Sequence, residues 1–489
     1  MGTRRIGVGV YVPRRRPGSG RLLRLLVCCL VAATLIGGCG RGSDSDGPPT
    51  VKHIVFVSID TARADHFGFM GSRDVETPEL DALAAESVVF EDYLTTIAST
   101  LPSHVSLFTG KYPHHHGVPR NGFKVNLLNE MLPEVLSDAG FVTAGFAGAF
   151  VLTDGFDFAQ GFDHYDEEVV PSRGAKHSAR LAEDVTNAVI DYLERSGVPR
   201  RLFLFAHYFD PHKPYEPPAP YDTMYDPSGR TGLPPARQLL SDQSLPEEAR
   251  DALAARLALQ YAGEISYTDR EVGRLIDYLR EKRILDDALV VVTTDHGESL
   301  WEHGEHFEHG WEVYDSTVHC VCFMRFPRAW SGGLRVKELV GSIDVLPTVL
   351  EYLGLRTPAG IDGEPIPLMS LADGIDRRTR FAESAKPTNR FNTDPRWHNI
   401  LKPQCIREGR HKFIVKPYAN VEELYDLDAD PHEVGNLLES ASPEVAALAT
   451  ELRRKLGAWT NSPDPLPSEY GVAEQMDAAR KLRSLGYLN

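Results

Sequence analysis

At residues 53–60 the chain reads HIVFVSID, a short apolar run, rich in β-branched residues, that stops on an aspartate. With no helical spacing inside it, such a run reads as a strand buried on both faces. The same design recurs in LFLFAHYFD at 202–210 and in ALVVVTTD at 288–295. Helical patterns lie around these runs: PELDALAAES (78–87) with proline in its first turn, Leu127–Ala139 stopped by Gly140, and a long pattern over about Glu248–Arg283. Phe141–Phe146 adds a short strand. The alternation predicts an α/β fold, a mostly parallel sheet flanked by helices. Three strands then end in Asp60, Asp210 and Asp295, at the sheet edge where open α/β folds bind ligands. One such aspartate alone reads as a helix N-cap; three, joined by nearby histidines, read as a metal site.

Beyond a helix at Ile343–Leu353 the pattern changes. Phe381–Glu383, Gln404–Glu408 and His411–Lys416 read as short strands, followed by a helix near Pro443–Leu456. They predict a smaller C-terminal α+β lobe with an antiparallel sheet, dividing the chain into a catalytic domain over 51–375 and a subdomain over 376–489. Pro211–Pro235 holds eight prolines in 25 residues, a stiff loop beside Asp210 that would shape substrate entry.

Composition narrows the classes. The 489 residues are 42% hydrophobic and 25% charged, which excludes disordered and collagenous chains. A formal charge of −17 makes nucleic acid a poor partner, because phosphate contacts need clustered Lys and Arg. The first 24 residues run against that total, with seven arginines and no acid. The apolar run Leu25–Ile36 follows, rising only about 18 Å as a helix, too short to cross a bilayer core of about 30 Å. Basic start, short apolar run and the small residues Gly37-Gly38-Cys39 make a secretory signal over 1–38. Ile36-Gly37-Gly38-Cys39 has the look of a bacterial lipobox, with Cys39 as the lipidated mature N-terminus and 39–50 as a flexible tether. The expectation is an exported, lipid-anchored envelope protein whose mature charge falls from −17 to −24 on loss of those seven arginines. Three cysteines then remain, Cys320, Cys322 and Cys405. A bridge from Cys405 to either of the others is open, although their apolar surroundings favour buried thiols.

Two stretches carry chemistry. In TLPSHVSLFTG (100–110), Pro102 marks a helix start, so the Thr100 hydroxyl lies at a helix N-terminus, where unpaired N–H groups favour an anion. Taken alone, Thr100 reads as a cap. In TTDHGE (293–298), Asp295 and His296 follow a strand side by side and can both reach a divalent cation. Further histidines at 303, 306, 309 and 319 mostly read as a polar loop, and His114-His115-His116 as a turn after Pro113.

Here the chain resembles the sulfatase family of the alkaline phosphatase superfamily. The matching segments are IVFVSIDTARADHFG (54–68), TLPSHVSLFTGKYPHHHGV (100–118), FDPHKPY (209–215), YAGEISYTDREVGRLIDYL (261–279), TTDHGE (293–298), DVLPTVLEYLGL (344–355) and EELYDLDADPHEVGNL (422–437). LGYL (485–488) is similar to a short ending of some members. The resemblance implies an alkaline phosphatase-like fold and hydrolysis of anionic esters. The departures are equally specific. Where sulfatases carry Cys-x-Pro-Ser-Arg, with Cys or Ser oxidised to formylglycine, this chain has Thr100 and, at the arginine, His104. The family's Gly-Lys-Trp-His falls on Ala147-Gly148-Ala149-Phe150, and the second of two metal-binding aspartates is Thr61.

A formylglycine hydrate attacks sulfur with one hydroxyl and expels sulfate with the other. Thr100 has one hydroxyl, so its covalent intermediate must be cleaved by water, as in related phosphatases and phosphodiesterases. The resemblance thus implies Asp60, Asp295 and His296 as ligands of one divalent ion (Ca, Mn, Zn or Mg) and Thr100 as nucleophile. His212 and His309 would act at the leaving oxygen, with His104, Lys111 and Lys213 against the substrate anion and Arg63 a weaker candidate. A second ion on Asp210, His212 and His309 stays open, as does Ser99 as nucleophile if the motif register is shifted by one. The expected substrate is a small-molecule, glycan or lipid ester, with phosphate mono- or diesters favoured. Two alternatives stand beside it, a sulfatase working without formylglycine and a non-catalytic anion-binding lipoprotein.

Overall fold

The computed structural model describes residues 50–168, 180–241, 244–330, 332–376, 378–385, 401–440, 442–462 and 466–470. The signal segment, Cys39, the tether up to residue 49 and the closing LGYL lie outside the described residues. The described residues form one compact unit.

Its centre is a nine-stranded sheet. Across it run Leu334–Val336, Val88–Leu94, His319–Arg325, Ala288–Thr294, His53–Ile59, Leu202–Tyr208, Val142–Phe146 and His164–Asp166, with Val340–Gly341 also paired to Val88–Leu94. The His53–Ile59 strand is parallel to both neighbours, Leu202–Tyr208 and Ala288–Thr294. His319–Arg325 runs antiparallel to the strands on either side. The three strands read from sequence have the predicted ends, and each of their residues is buried.

Burial on both faces follows from the period of two along a strand. Phe56, Phe203 and Phe205 point into a cluster with Val105 and Phe108 of the helix Thr100–Thr109 and Val349 of the helix Val345–Tyr352. Val55, Val57 and Leu204 point the other way, onto residues of the helices Pro78–Ala85, Ala182–Ser196 and Glu247–Glu281. The last is a single 35-residue helix where one long pattern was predicted.

One expectation needs correction. The helix predicted over Leu127–Ala139 spans only Leu132–Asp138. Pro133 cannot continue a helix from upstream, and Met131 is extended (φ −94°, ψ 156°) with its N–H donating to Glu134 Oε2 at 2.8 Å. Leu127 and Leu128, assigned to its apolar face, are 71% and 75% exposed. Of the two readings of the cysteines, the favoured one holds: Cys320, Cys322 and Cys405 are free and buried, and burial pushes each thiol up, Cys405 to about 11.

A four-stranded antiparallel sheet, Thr379–Glu383, Gln404–Glu408, His411–Lys416 and Val421–Asp426, follows, backed by the helix Pro443–Thr460. It packs directly on the main body, sharing a buried cluster of Ala382, Cys405 and Ile414 with Leu94, Val313 and Val318. Charges tie the same seam. Arg407 donates to Asp92 at 2.8 and 2.9 Å and to Asp315 at 3.1 Å, and the buried Lys412 ammonium lies 2.7 Å from Asp315 and 2.8 Å from Glu433.

Candidate active site

Strand register assembles the site. Ile59 stands opposite Tyr208 on one side and Thr294 on the other, so the residues that follow leave the sheet edge together. Backbone bonds fix the exit: Asp60 N–H donates to the Tyr208 carbonyl (2.9 Å) and Asp295 N–H to that of Ile59 (3.4 Å). Asp295 Oδ1 accepts the N–H groups of Thr61 (3.1 Å) and His296 (2.7 Å), which leaves Oδ2 facing the neighbouring carboxylate. His296 Nε2 lies 3.6 Å from Asp60 Oδ1 and 3.5 Å from Asp295 Oδ2. Its Nδ1–H donates to the Gly297 carbonyl at 2.9 Å, a tautomer that presents the Nε2 lone pair to the carboxylates. Gly297 leaves room for this turn, since a Cβ there would stand 2.1 Å from the Ser316 carbonyl.

These residues fit a divalent cation. Asp60 Oδ1, Asp295 Oδ2 and Thr61 Oγ1 are buried and have no hydrogen-bond partner among the described residues. Burial, and then the charges of Asp295 and Glu298, hold the Asp60 carboxyl well above the usual carboxylate range, and burial carries Asp295 up to about 8. Carboxylates so placed need a proton or a cation. Thr61, a β-branched residue at φ 53°, is held in this uncommon backbone state by the Tyr261 hydroxyl, which donates to its carbonyl at 2.7 Å.

Thr100 opens a ten-residue helix, every residue of which is buried. Ser99 before it is extended (φ −163°) and makes no side-chain cap. The Thr100 hydroxyl makes its side-chain bond to Asp60 Oδ2, at 3.4 Å, so it faces the carboxylate cluster. Opposite stand His212 and His309, their ring centres 5.3 Å apart, with His309 4.4 Å from the ring of His296. His309 Nδ1 lies 3.0 Å from Glu298 Oε1, and Glu298 Oε2 accepts the Tyr215 hydroxyl at 3.1 Å. Burial, then His309, lowers the His212 pKa well below the ordinary histidine value. The structure therefore brings together Asp60, Thr100, His212, Asp295, His296 and His309.

Other predicted residues lie elsewhere. His104 is fully buried, with Nδ1 2.6 Å from the Thr100 carbonyl and Nε2 2.8 Å from Ser58 Oγ, so both nitrogens are spent inside the protein. Burial lowers its pKa to about 4, and the ring that replaces the family's arginine is neutral. Lys111 follows the far end of the Thr100–Thr109 helix, about 15 Å along its axis from Thr100, and reaches Asn129 Oδ1 at 3.3 Å. Lys213 bonds the Phe307 carbonyl (3.1 Å) and Glu308 (2.5 Å), and Arg63 bonds Asp65 and Glu302. Asp210 does not join a second cation site: its Oδ2 accepts the N–H of Ala182 at 2.7 Å, the first residue of the helix Ala182–Ser196. His115 pairs with Asp362 at 2.8 Å and His116 lies buried against Ser106 Oγ at 3.0 Å, so neither belongs to the pocket.

Two residues went unread in the sequence. Glu298 sits inside the quoted TTDHGE but carried no role until its contact with His309 appeared. His207, within LFLFAHY, looked like one more interior position of a strand; its Nε2 lies 3.6 Å from Asp60 Oδ2.

A doubly wound sheet with aspartates, a threonine and histidines gathered at its carboxyl edge defines an anionic-ester hydrolase of the alkaline phosphatase superfamily. The sulfatase family profile matches residues 52–355, and the chain belongs to that family. A profile for the C-terminal region of N-sulphoglucosamine sulphohydrolase matches residues 302–462. The chain is 26% identical to the multifunctional alkaline phosphatase superfamily protein PehA of Trinickia caryophylli, over 84% of this chain and 95% of that protein. It is 25% identical to an arylsulfatase of Clostridium perfringens, over 79% of this chain and 90% of the relative. Among solved structures, the phosphonate monoester hydrolase of Silicibacter pomeroyi aligns with a TM-score of 0.65 at 24% identity, over 84% of this chain and 96% of that one. An enzyme solved in complex with its substrate D-glucosamine-2-N,6-O-disulfate aligns with a TM-score of 0.68 at 20% identity, over 86% and 99%.

Proposed function

We propose that this chain hydrolyses phosphate mono- or diesters, with Thr100 as nucleophile. The observation that carries the reading is the Thr100 hydroxyl at a helix N-terminus, 3.4 Å from Asp60 in the carboxylate cluster. Asp60, Asp295 and His296 would hold a divalent cation, whose positive charge would favour the ionised Thr100 oxygen and offset the charge of the ester. Thr100 Oγ1 loses its proton to solvent and bonds to phosphorus as the P–O bond to the alcohol breaks. His309, oriented by Glu298 at 3.0 Å from its Nδ1, protonates the departing oxygen. Neutral His309 then takes a proton from the water that attacks phosphorus, and Thr100 leaves, recovering its proton from solvent. His212, neutral beside it, positions the ester oxygens by hydrogen bonding.

Sulfate esters suit this site less well. Thr100 lacks the second hydroxyl that expels sulfate, and the family's arginine and lysine positions hold neutral His104 and Gly148. A phosphothreonine intermediate is open to water without either. Kinship with sulfatases supports the second reading, sulfuric ester hydrolysis without formylglycine. Purified protein assayed on matched aryl sulfate, phosphate monoester and phosphodiester, with Mn²⁺, Zn²⁺ or Ca²⁺ and beside Thr100→Ala, separates the two. The expected result is phosphoester turnover that falls by about 10³-fold or more in Thr100→Ala. Sulfate turnover that survives the substitution would end the nucleophile assignment. We also infer export and anchoring through a lipidated Cys39, bringing the site to glycan- or lipid-borne esters of the envelope. A membrane fraction that loses the protein in Cys39→Ala is the check.

A further inference from the structure

His207 stands out among the buried polar residues. It is fully buried, and neither Nδ1 nor Nε2 has a hydrogen-bond partner among the described residues. The strand that carries it sets it opposite Ser58, one residue short of the strand end, so its ring lies just beneath the Asp60 carboxylate. Its Nε2 is 3.6 Å from Asp60 Oδ2, and one of its nitrogens lies within 4.8 Å of an Asp295 carboxylate oxygen.

We propose that His207 is a fourth protein ligand of the same cation, in place of the second carboxylate lost at Thr61, and that the resulting donor set selects zinc over calcium. The inference rests on the cation-assisted reading of this site. Tetrahedral ligands with bonds of 2.0–2.1 Å stand about 3.3–3.4 Å apart. The donor separations here are 3.6 Å (His207 Nε2–Asp60 Oδ2), 3.6 Å (His296 Nε2–Asp60 Oδ1) and 3.5 Å (His296 Nε2–Asp295 Oδ2), each within a few tenths of an ångström of that spacing, with one imidazole at each oxygen of Asp60. His104 also approaches Asp295, at 3.8 Å, but its nitrogens are taken by the Thr100 carbonyl and Ser58, which leaves His207 as the additional imidazole.

The surroundings make room for this ring. A Cβ at Gly148 would stand 2.6 Å from the His207 carbonyl and 3.2 Å from its Nδ1. Gly148 stands where the sulfatase resemblance expects a lysine, and its missing side chain leaves the space beside the His207 ring. An imidazole in place of a carboxylate alters the chemistry of the ligands. Calcium takes six to eight oxygen donors, whereas two carboxylates and two imidazoles form a mixed nitrogen–oxygen set that suits zinc.

Metal binding, measured apart from turnover, tests this. Protein stripped with a chelator is titrated calorimetrically with Zn²⁺ or Ca²⁺, comparing wild type with His207→Ala and Asp295→Asn, each first shown to be folded by circular dichroism. We expect one zinc ion per chain, zinc affinity lowered in His207→Ala by about tenfold to a hundredfold or more, and calcium affinity changed less than about threefold. Unchanged zinc affinity in His207→Ala overturns the proposal, as do two zinc ions per wild-type chain. Asp295→Asn separates the levels: if it binds zinc like wild type, the cation reading of the whole site fails. If it loses zinc while His207→Ala does not, this inference alone fails. Zinc-edge X-ray absorption on the wild type needs no variant; two imidazole ligands support the assignment and one refutes it.

Discussion

The two halves of the buried centre have diverged to different degrees. On the cation side, Asp60, Asp295 and His296 meet at 3.5–3.6 Å around a pair of carboxylates, in the places the sulfatase resemblance assigns them. On the anion side, the resemblance sets a neutral, inward-turned His104 where sulfatases have arginine, Gly148 where they have lysine and Phe150 where they have histidine. The cation side is set by strand ends in a fixed register, so it persists while the sheet does. The anion side is set by single side chains on a helix and a loop, which can be exchanged without moving the backbone.

Breaking the contrast begins with the largest effect. His309→Ala should lower phosphoester turnover by about 10²-fold or more, with less loss on an ester whose leaving group needs no proton, such as a nitrophenyl ester. Equal loss on both would remove His309 from proton transfer. A second test concerns His104. Its folded pKa, about 4, is depressed below that of the unfolded chain, so the unfolded state binds more protons between pH 6.5 and 4. The stability it contributes is present above pH 6.5 and lost as the pH falls toward 4, by up to about 3 kcal/mol. Urea unfolding at pH 7 and pH 4.5 should show a smaller loss in His104→Gln than in wild type, and an equal loss would contradict a neutral, buried ring. Gly148→Ala should destabilise by about 1–3 kcal/mol, since its Cβ would meet backbone at 2.6 and 2.9 Å; an unchanged melting temperature would show that the His207 pocket has slack. Smallest of all, Lys111→Ala should leave kcat/KM within about twofold, because its ammonium is turned to Asn129. A tenfold fall would return Lys111 to the anion side.

What could be read from residues alone follows the same division. The strands at 53–59, 202–208 and 288–294 were legible because unbroken apolar runs have one stable use in a sheet covered on both faces. Asp60 and Asp295 were legible because they terminate such strands. Asp210 terminates one too, yet it serves a helix whose first residue lies 28 positions upstream, a pairing that no local pattern announces. His207 was hidden for the opposite reason: within an apolar strand a histidine looks like core, and only the register beside Ser58 shows what it faces. The helix predicted to begin at Leu127 failed where propensity met Pro133, and the two exposed leucines mimicked an amphipathic stripe.

The ion network between the two sheets has a consequence for how such a chain can be inherited. Asp92 and Asp315 belong to the first part of the sequence, Arg407 and Lys412 to the last, and each side buries charge that the other neutralises. A crossover between 326 and 379 that joined halves from two unrelated members would leave unpaired charge inside the seam, at a cost of several kcal/mol. A chimera joined at that seam is therefore expected to need both sides of the network from one parent.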